Sequence, residues 1–295
     1  VTGRSSQVSA HGARRVDLEG PYGRIAALRA DPPVGAPTAG TVLLVPGYTG
    51  SKEDFAPLLD GIADAGLAVV AIDQPGQYES PGPKDEAQYL PEALGKVVAD
   101  LVRTLAAEER PVLLLGHSYG GLVSRAAVLA GAPVAGLTLL DSGPHRLTDR
   151  NRLLVLDFAE PVLRAHGLEQ TYTLREQLNV GNPAWTAAPD ELKAFLRARF
   201  VGSHPSALLG MARGLQTEPD RVAELRTLLE REGTPSLVVT GENDDAWSVA
   251  EQRDMADRLG APFVLIPGAG HSPNIETPDV LLGELLPAWG SWLTS

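Results

Sequence analysis

Short apolar runs punctuate the chain at Thr41–Val45, Leu67–Ile72, Val112–Leu115, Val134–Leu140, Ser236–Thr240 and Pro262–Ile266. They do not alternate with polar residues, and turn formers bound them. That pattern predicts strands buried on both faces. Between them lie segments of helical spacing. In Pro91–Glu109 the apolar positions Leu94, Val97, Val98, Leu101 and Leu105 share one face, with Pro91 suited to a helix start. The C-terminal stretch repeats this with Val280, Leu281, Leu285, Trp289 and Trp292. Strand–helix alternation predicts an α/β fold, a mostly parallel central sheet with helices on both faces. Val16–Leu18 and Arg24–Leu28 flank Gly20–Gly23 and alternate more, as an antiparallel hairpin at a sheet edge would.

The rhythm stops between Leu140 and Ser236, where no strand is predicted. Ala188–Phe200 puts Leu192, Phe195, Leu196 and Phe200 on one helical face, and Arg221–Leu229 does the same with Val222, Leu225, Leu228 and Leu229. The expected organisation is therefore a core of residues 1–143 and 234–295, with a helical cap inserted over 144–233. No internal repeat is apparent.

The most informative stretch is Pro111–Val112–Leu113–Leu114–Leu115–Gly116–His117–Ser118–Tyr119–Gly120–Gly121. It reads as a strand, then G-x-S-x-G, then a helix from near Tyr119. In so sharp a turn the residues two before and two after the serine crowd each other, and Gly116 and Gly120 relieve this by lacking Cβ. On these residues the chain resembles the α/β-hydrolase family, and the order of elements and the late helical insertion extend the resemblance over nearly the whole chain.

The resemblance implies a Ser–His–Asp triad with Ser118 as nucleophile. The implied base is His271, in Pro267–Gly268–Ala269–Gly270–His271–Ser272–Pro273 after the last strand. Val238–Val239–Thr240–Gly241–Glu242–Asn243–Asp244 resembles the family's strand–Gly–x–x–Asp loop and makes Asp244 the expected acid. Asp141, at the end of the preceding strand, and Asp245, a possible helix cap, are the alternatives. The oxyanion hole is expected from the backbone N–H groups of Tyr119 and Tyr48. Tyr48 lies in Val45–Pro46–Gly47–Tyr48–Thr49–Gly50, which resembles the family's His-Gly-x loop with Pro46 where His is common. Its ring is left open between pocket and packing. Asp73–Gln74–Pro75–Gly76–Gln77–Tyr78 resembles another family loop in which the aspartate is a brace.

Composition narrows the chemistry. The chain has 295 residues and a net charge of −12, against a basic face for nucleic acid or anionic lipid. It has no cysteine, so a thiol nucleophile, a thiolate metal site and disulfides are excluded. The histidines show no metal-ligand spacing and no strand is followed by G-x-G-x-x-G, so neither metal nor dinucleotide cofactor is expected. No run of 18 apolar residues exists for a membrane span. The polar start Val1–Gly12 has no signal-peptide core, which makes the cytoplasm the default location, with the start at Val1 rather than Met noted. Arginine far outnumbers lysine, a bias of GC-rich bacterial coding. Basic and acidic residues balance within 144–233, so the whole acidic excess belongs to the core.

In the insertion Phe158, Trp185, Phe195, Phe200 and Met211 are candidates for an apolar pocket, and Trp247, after the acid loop, is the individual favourite. The expected activity is hydrolysis of an ester, thioester or lactone of a small, largely apolar acyl compound through an acyl-enzyme on Ser118. The same residues would serve a C–C bond hydrolase, an acyltransferase or a perhydrolase. From another class, a ligand receptor with vestigial catalysis stays open.

Overall fold

The apolar runs become the interior of one sheet in the computed structural model, which describes residues 6–294. Of the polar start, residues 1–5 lie outside the described residues. The strands are β1 (Arg14–Gly20), β2 (Gly23–Ala30), β3 (Gly40–Val45), β4 (Leu67–Ile72), β5 (Val112–His117), β6 (Gly136–Leu140), β7 (Ser236–Gly241) and β8 (Phe263–Ile266). They pair in the order β1-β2-β4-β3-β5-β6-β7-β8. The hairpin β1–β2 is antiparallel, and β2 joins β4 antiparallel; the remaining pairs are parallel.

Parallel neighbours need crossover connections, and helices supply them. These are α1 (Ala56–Asp64), α2 (Pro91–Ala106), α3 (Tyr119–Leu129) and, after the insertion, α9 (Val249–Leu259), α10 (Pro273–Glu276) and α11 (Pro278–Leu293). Because side chains alternate along a strand, β3 feeds both layers. Leu43 and Val45 pack with Leu94, Val98, Leu122 and Val123 of α2 and α3. Val42 and Leu44 pack with Leu58, Leu59, Leu285 and Trp289 of α1 and α11. The interior strands therefore have no polar face to present, which is why their sequences do not alternate.

Between β6 and β7 the described residues form helices only: α4 (Arg150–Asn179), α5 (Pro183–Ala187), α6 (Asp190–Gly202), α7 (Pro205–Thr217) and α8 (Val222–Glu232). α4 breaks at Gly167, which adopts φ 75°, ψ −174°. α8 packs against α3 and α9. Its Val222, Leu225 and Leu229 are buried in the same apolar cluster as α2, α3 and α9. No described helix is long and apolar enough to cross a membrane.

The loop after β4 is anchored by a buried ion pair. Lys52 Nζ lies 3.0 Å from Asp73 Oδ2 and 2.8 Å from Glu53, and Asp73 also accepts the Lys52 and Glu79 backbone N–H groups at 2.7 and 3.2 Å. Lys52 and Asp73 are almost wholly removed from solvent. Removing one partner of such a pair strands the other charge, so Lys52→Met should cost about 3–5 kcal/mol in urea unfolding. A loss under about 1 kcal/mol, the scale of an exposed pair, would refute the bracing role.

Candidate active site

The sheet's strand order decides which loops meet. β5 runs between β3 and β6, and β7 and β8 follow, so the carboxyl ends of all five open on one edge. β5 ends in the sharp turn at Ser118, which precedes α3 with φ 55°, ψ −122°. A non-glycine residue is rarely held there, and the surroundings must impose it. Close packing does so. A Cβ on Gly116 would overlap the Gly120 carbonyl, and one on Gly120 would overlap the Val45 and Pro46 carbonyls.

His271 stands over this turn in the loop after β8. Its Nε2 is 2.9 Å from Ser118 Oγ and its Nδ1 is 2.7 Å from Asp244 Oδ1. Donation of Nδ1–H to the carboxylate leaves Nε2 free to accept the serine proton. Asp244 is itself fixed, for Ala246 N–H donates to Oδ1 at 2.9 Å and Gln252 Nε2 to Oδ2 at 2.7 Å. Burial opposes its ionisation. The hydrogen bond and charge of His271 and these further donors outweigh burial and hold the carboxyl below its usual range.

Asp141 reaches the same spot from the end of β6, at φ 45°. It is fully buried and accepts Gly241 N–H at 2.8 Å, while its Oδ2 has no conventional donor. Burial first, then the neighbouring Asp244 charge, push its carboxyl well above the usual range. A neutral Asp141 acid supplies a proton for a hydrogen bond to Asp244. Among the described residues, Asp141, Asp244 and His271 also bring metal-ligating atoms within 4.8 Å of one another. Asp244 and His271, however, direct those atoms at each other. Asp245 is exposed and pairs with Arg152 instead.

Opposite Ser118 lies the loop after β3. A Cβ built on Gly47 would lie 2.9 Å from Ser118 Cβ and 3.3 Å from its Oγ. Gln77 Nε2 donates to the Gly47 carbonyl at 2.8 Å, and Gln74 Nε2 to the Pro46 carbonyl at 2.8 Å. In a trans peptide the N–H points opposite to the carbonyl. Holding Gly47 O away by Gln77 therefore aims Tyr48 N–H the other way. Tyr119 follows the serine directly, and its side chain is anchored by a 2.6 Å bond from its hydroxyl to Tyr89 O.

These groups open into a cavity of about 1010 Å³. Its walls are largely apolar, with Leu156, Phe158 and Leu163 of α4 facing Phe200 of α6 and Leu208 of α7.

The family model described as "Alpha/beta hydrolase family" matches residues 42–284, a range that runs from within β3 through β8 and contains Ser118, Asp141, Asp244 and His271. The chain belongs to the alpha/beta hydrolase family. This alpha/beta hydrolase is 30% identical over 257 residues to a protein of Variovorax paradoxus (strain S110) named as the carbamate hydrolase RutD, covering 83% of this chain and 90% of that one. Two solved structures share the fold. A thermophilic esterase from Thermogutta terrifontis superposes with a TM-score of 0.73 at 24% identity, over 96% of this chain and 100% of that chain. The enol-lactonase from Burkholderia xenovorans LB400 does so at 0.73 and 20% identity, over 95% and 100%.

Four expected pocket residues, Trp247, Trp185, Phe195 and Met211, do not line the cavity of this alpha/beta hydrolase. Trp247 is completely buried, because its indole N–H is needed by the His145 and Arg146 carbonyls at 3.0 and 3.3 Å. It ties the start of the insertion to the acid loop. Trp185 is half-buried and packs beside Leu163, Tyr172, Phe200 and Leu208, with Lys193 Nζ 5.9 Å from its ring centroid. Phe195 meets Tyr78 edge-on at 5.8 Å, and Met211 lies in the core. Phe158 and Phe200 do line the cavity, and Tyr48 both lines it and packs under the helices.

His117, the residue before the serine in G-x-S-x-G, has a role that no local pattern marks. It is buried, and its Nε2–H donates to the His271 carbonyl at 2.7 Å. Burial, then the nearby His271, lower its pKa to about 4, so the ring is neutral at physiological pH. Gln74, Gln77 and Gln252 likewise position groups of the site. The sequence signal for the first two was their place in the loop after β4; nothing local marked Gln252.

Proposed function

We propose that this alpha/beta hydrolase cleaves an ester, thioester or lactone of a small, largely apolar substrate through an acyl-enzyme on Ser118. The observation that carries the reading is the unbroken chain Ser118–His271–Asp244, at 2.9 and 2.7 Å, opening into an apolar cavity. His271 Nε2 takes the hydroxyl proton as Oγ attacks the acyl carbonyl. Asp244 fixes the tautomer and stabilises the imidazolium. The oxyanion is met by Tyr48 and Tyr119 N–H. The imidazolium returns its proton to the leaving oxygen or sulfur. Water then attacks the acyl-enzyme, giving its proton to His271, and Ser118 is released with a free acid. Residues 144–233 serve as the cap over a core of 1–143 and 234–295, shielding the acyl-enzyme and shaping the pocket. The activities for which these relatives are named, on carbamate, ester and enol-lactone bonds, are all acyl transfers to water.

A receptor with vestigial catalysis would not need a strained serine hydrogen-bonded to an imidazole that a carboxylate orients. A fluorophosphonate probe tests this directly. Intact protein is expected to label once, at Ser118, with labelling lost on heat unfolding. Failure of the native protein to label would favour the receptor.

A further inference from the structure

Most of the cavity's charged side chains are engaged within the protein. Among its described lining groups, Arg199 pairs with Asp54 at 2.5 Å, Arg152 pairs with Asp245, and Glu160 is held by Arg164 at 2.8 Å. Asp149 caps α4 through Arg152 N–H at 2.8 Å. Arg175, on α4 beyond the Gly167 break, is different. It lines the cavity, and the structure gives its guanidinium no carboxylate and no carbonyl. What it has are aromatic neighbours, with the Tyr172 and Phe200 ring centroids 5.9 and 5.8 Å from its Cζ. Rings orient a cation without neutralising it.

Arg175 is exposed and lines the cavity. Lost hydration, then the charge of Arg199, pull its guanidinium below the ordinary arginine value. Its field in turn lowers the Tyr48 phenol, against a burial effect that still leaves it raised to about 12. Arg175 therefore acts on the same side of the cavity as the loop beside Ser118. The Tyr48 hydroxyl is a second donor there with no protein acceptor. A cation that opens into a largely apolar cavity without a protein counter-charge has its donors free for an anionic ligand. One guanidinium balances one negative charge and matches a carboxylate in two parallel hydrogen bonds.

We infer that Arg175 is the anion subsite of the cavity and that the substrate is an apolar acyl compound bearing a single carboxylate. This rests on the acyl-hydrolase reading above and adds the substrate class to it. The acidic net charge of the chain does not oppose such a substrate, because the carboxylates lining the cavity are all engaged.

The test uses p-nitrophenyl half-esters of straight-chain diacids from adipic to sebacic, each beside its methyl-capped, neutral counterpart. The quantity read is the ratio of kcat/KM for the acid over the capped ester within each variant, which cancels general damage. Wild type should favour the acid at one chain length by about 10- to 100-fold, the scale of a charged hydrogen-bonded pair. Arg175→Met should reduce that ratio to about one, Arg175→Lys should keep part of it, and Arg175→Glu should invert it. A wild-type ratio near one at every length, or a ratio that Arg175→Met leaves intact, overturns the inference. If neither ester is turned over, it is the hydrolase reading that fails. Calorimetric binding of the monomethyl diacids to Ser118→Ala then decides the subsite alone. Affinity that falls at least about tenfold with added Arg175→Met supports it, and unchanged affinity refutes it.

Discussion

Ser118→Ala should lower kcat/KM for a short-chain p-nitrophenyl ester by about 10⁵- to 10⁶-fold while leaving the protein folded. Under the proposed mechanism the size follows from Ser118, His271 and Asp244 acting as a unit. Without Oγ there is no acyl-enzyme, and His271 and Asp244 have no proton to move. What remains is the loop beside Ser118 and the cavity, which can bind and polarise a carbonyl but cannot attack it. The fold should tolerate the change, since the strained turn is imposed by Gly116, Gly120 and the Val45–Pro46 carbonyls rather than by the hydroxyl. Alanine keeps the Cβ that already fits. Retained turnover, with an unchanged thermal unfolding midpoint, would mean that a different nucleophile or a directly activated water does the chemistry.

The residues that meet at this site were readable because each stands just after a strand. Parallel strands with helical crossovers bring their carboxyl ends to one edge, so a local pattern such as Gly116–Gly120 or Gly241–Asp244 locates a side chain in space. The strand positions were readable for the same reason, as burial on both faces leaves an uninterrupted apolar run. The ends were less so: β5 continues to His117, and Val134 and Ala135 precede β6 instead of opening it. What depended on distant partners was not readable. Trp247 looked like a pocket residue until the carbonyls of His145 and Arg146, about a hundred residues away in sequence, claimed its indole. His117 gains its role only from a carbonyl in the loop after β8. Arg175 was invisible for another reason. α4 has no continuous apolar stripe, and its break at Gly167 resets which face looks inward. Helical spacing counted along the sequence loses its phase there.

The two buried acids should separate sharply, although sequence left both open as the triad acid. Asp244→Asn should cost about 10³- to 10⁴-fold in kcat/KM. An Asn amide turned toward His271 donates to Nδ1 and forces the proton onto Nε2, where the ring can no longer accept from Ser118. Turned the other way, its amide faces Gln252 Nε2, which is already committed to Trp247 O at 3.0 Å. In both cases the charge that stabilises the imidazolium is gone. Asp141→Asn should instead stay within about fivefold of wild type, because a neutral Asp141 and an asparagine both donate a hydrogen bond to Asp244 and accept one from Gly241 N–H. Stability provides an independent readout. With its folded pKa raised, Asp141 binds its proton more tightly in the folded chain than in the unfolded one. Its contribution is therefore fully present below the ordinary aspartate value of about 3.9 and is lost as pH rises from there through the folded value. Asp141→Asn removes that term, so urea unfolding from pH 4 upward should show the variant gaining on wild type. A large loss of turnover in Asp141→Asn with little in Asp244→Asn would transfer the acid role to Asp141. A stability difference that does not change with pH would mean that Asp141 is ionised in the folded protein.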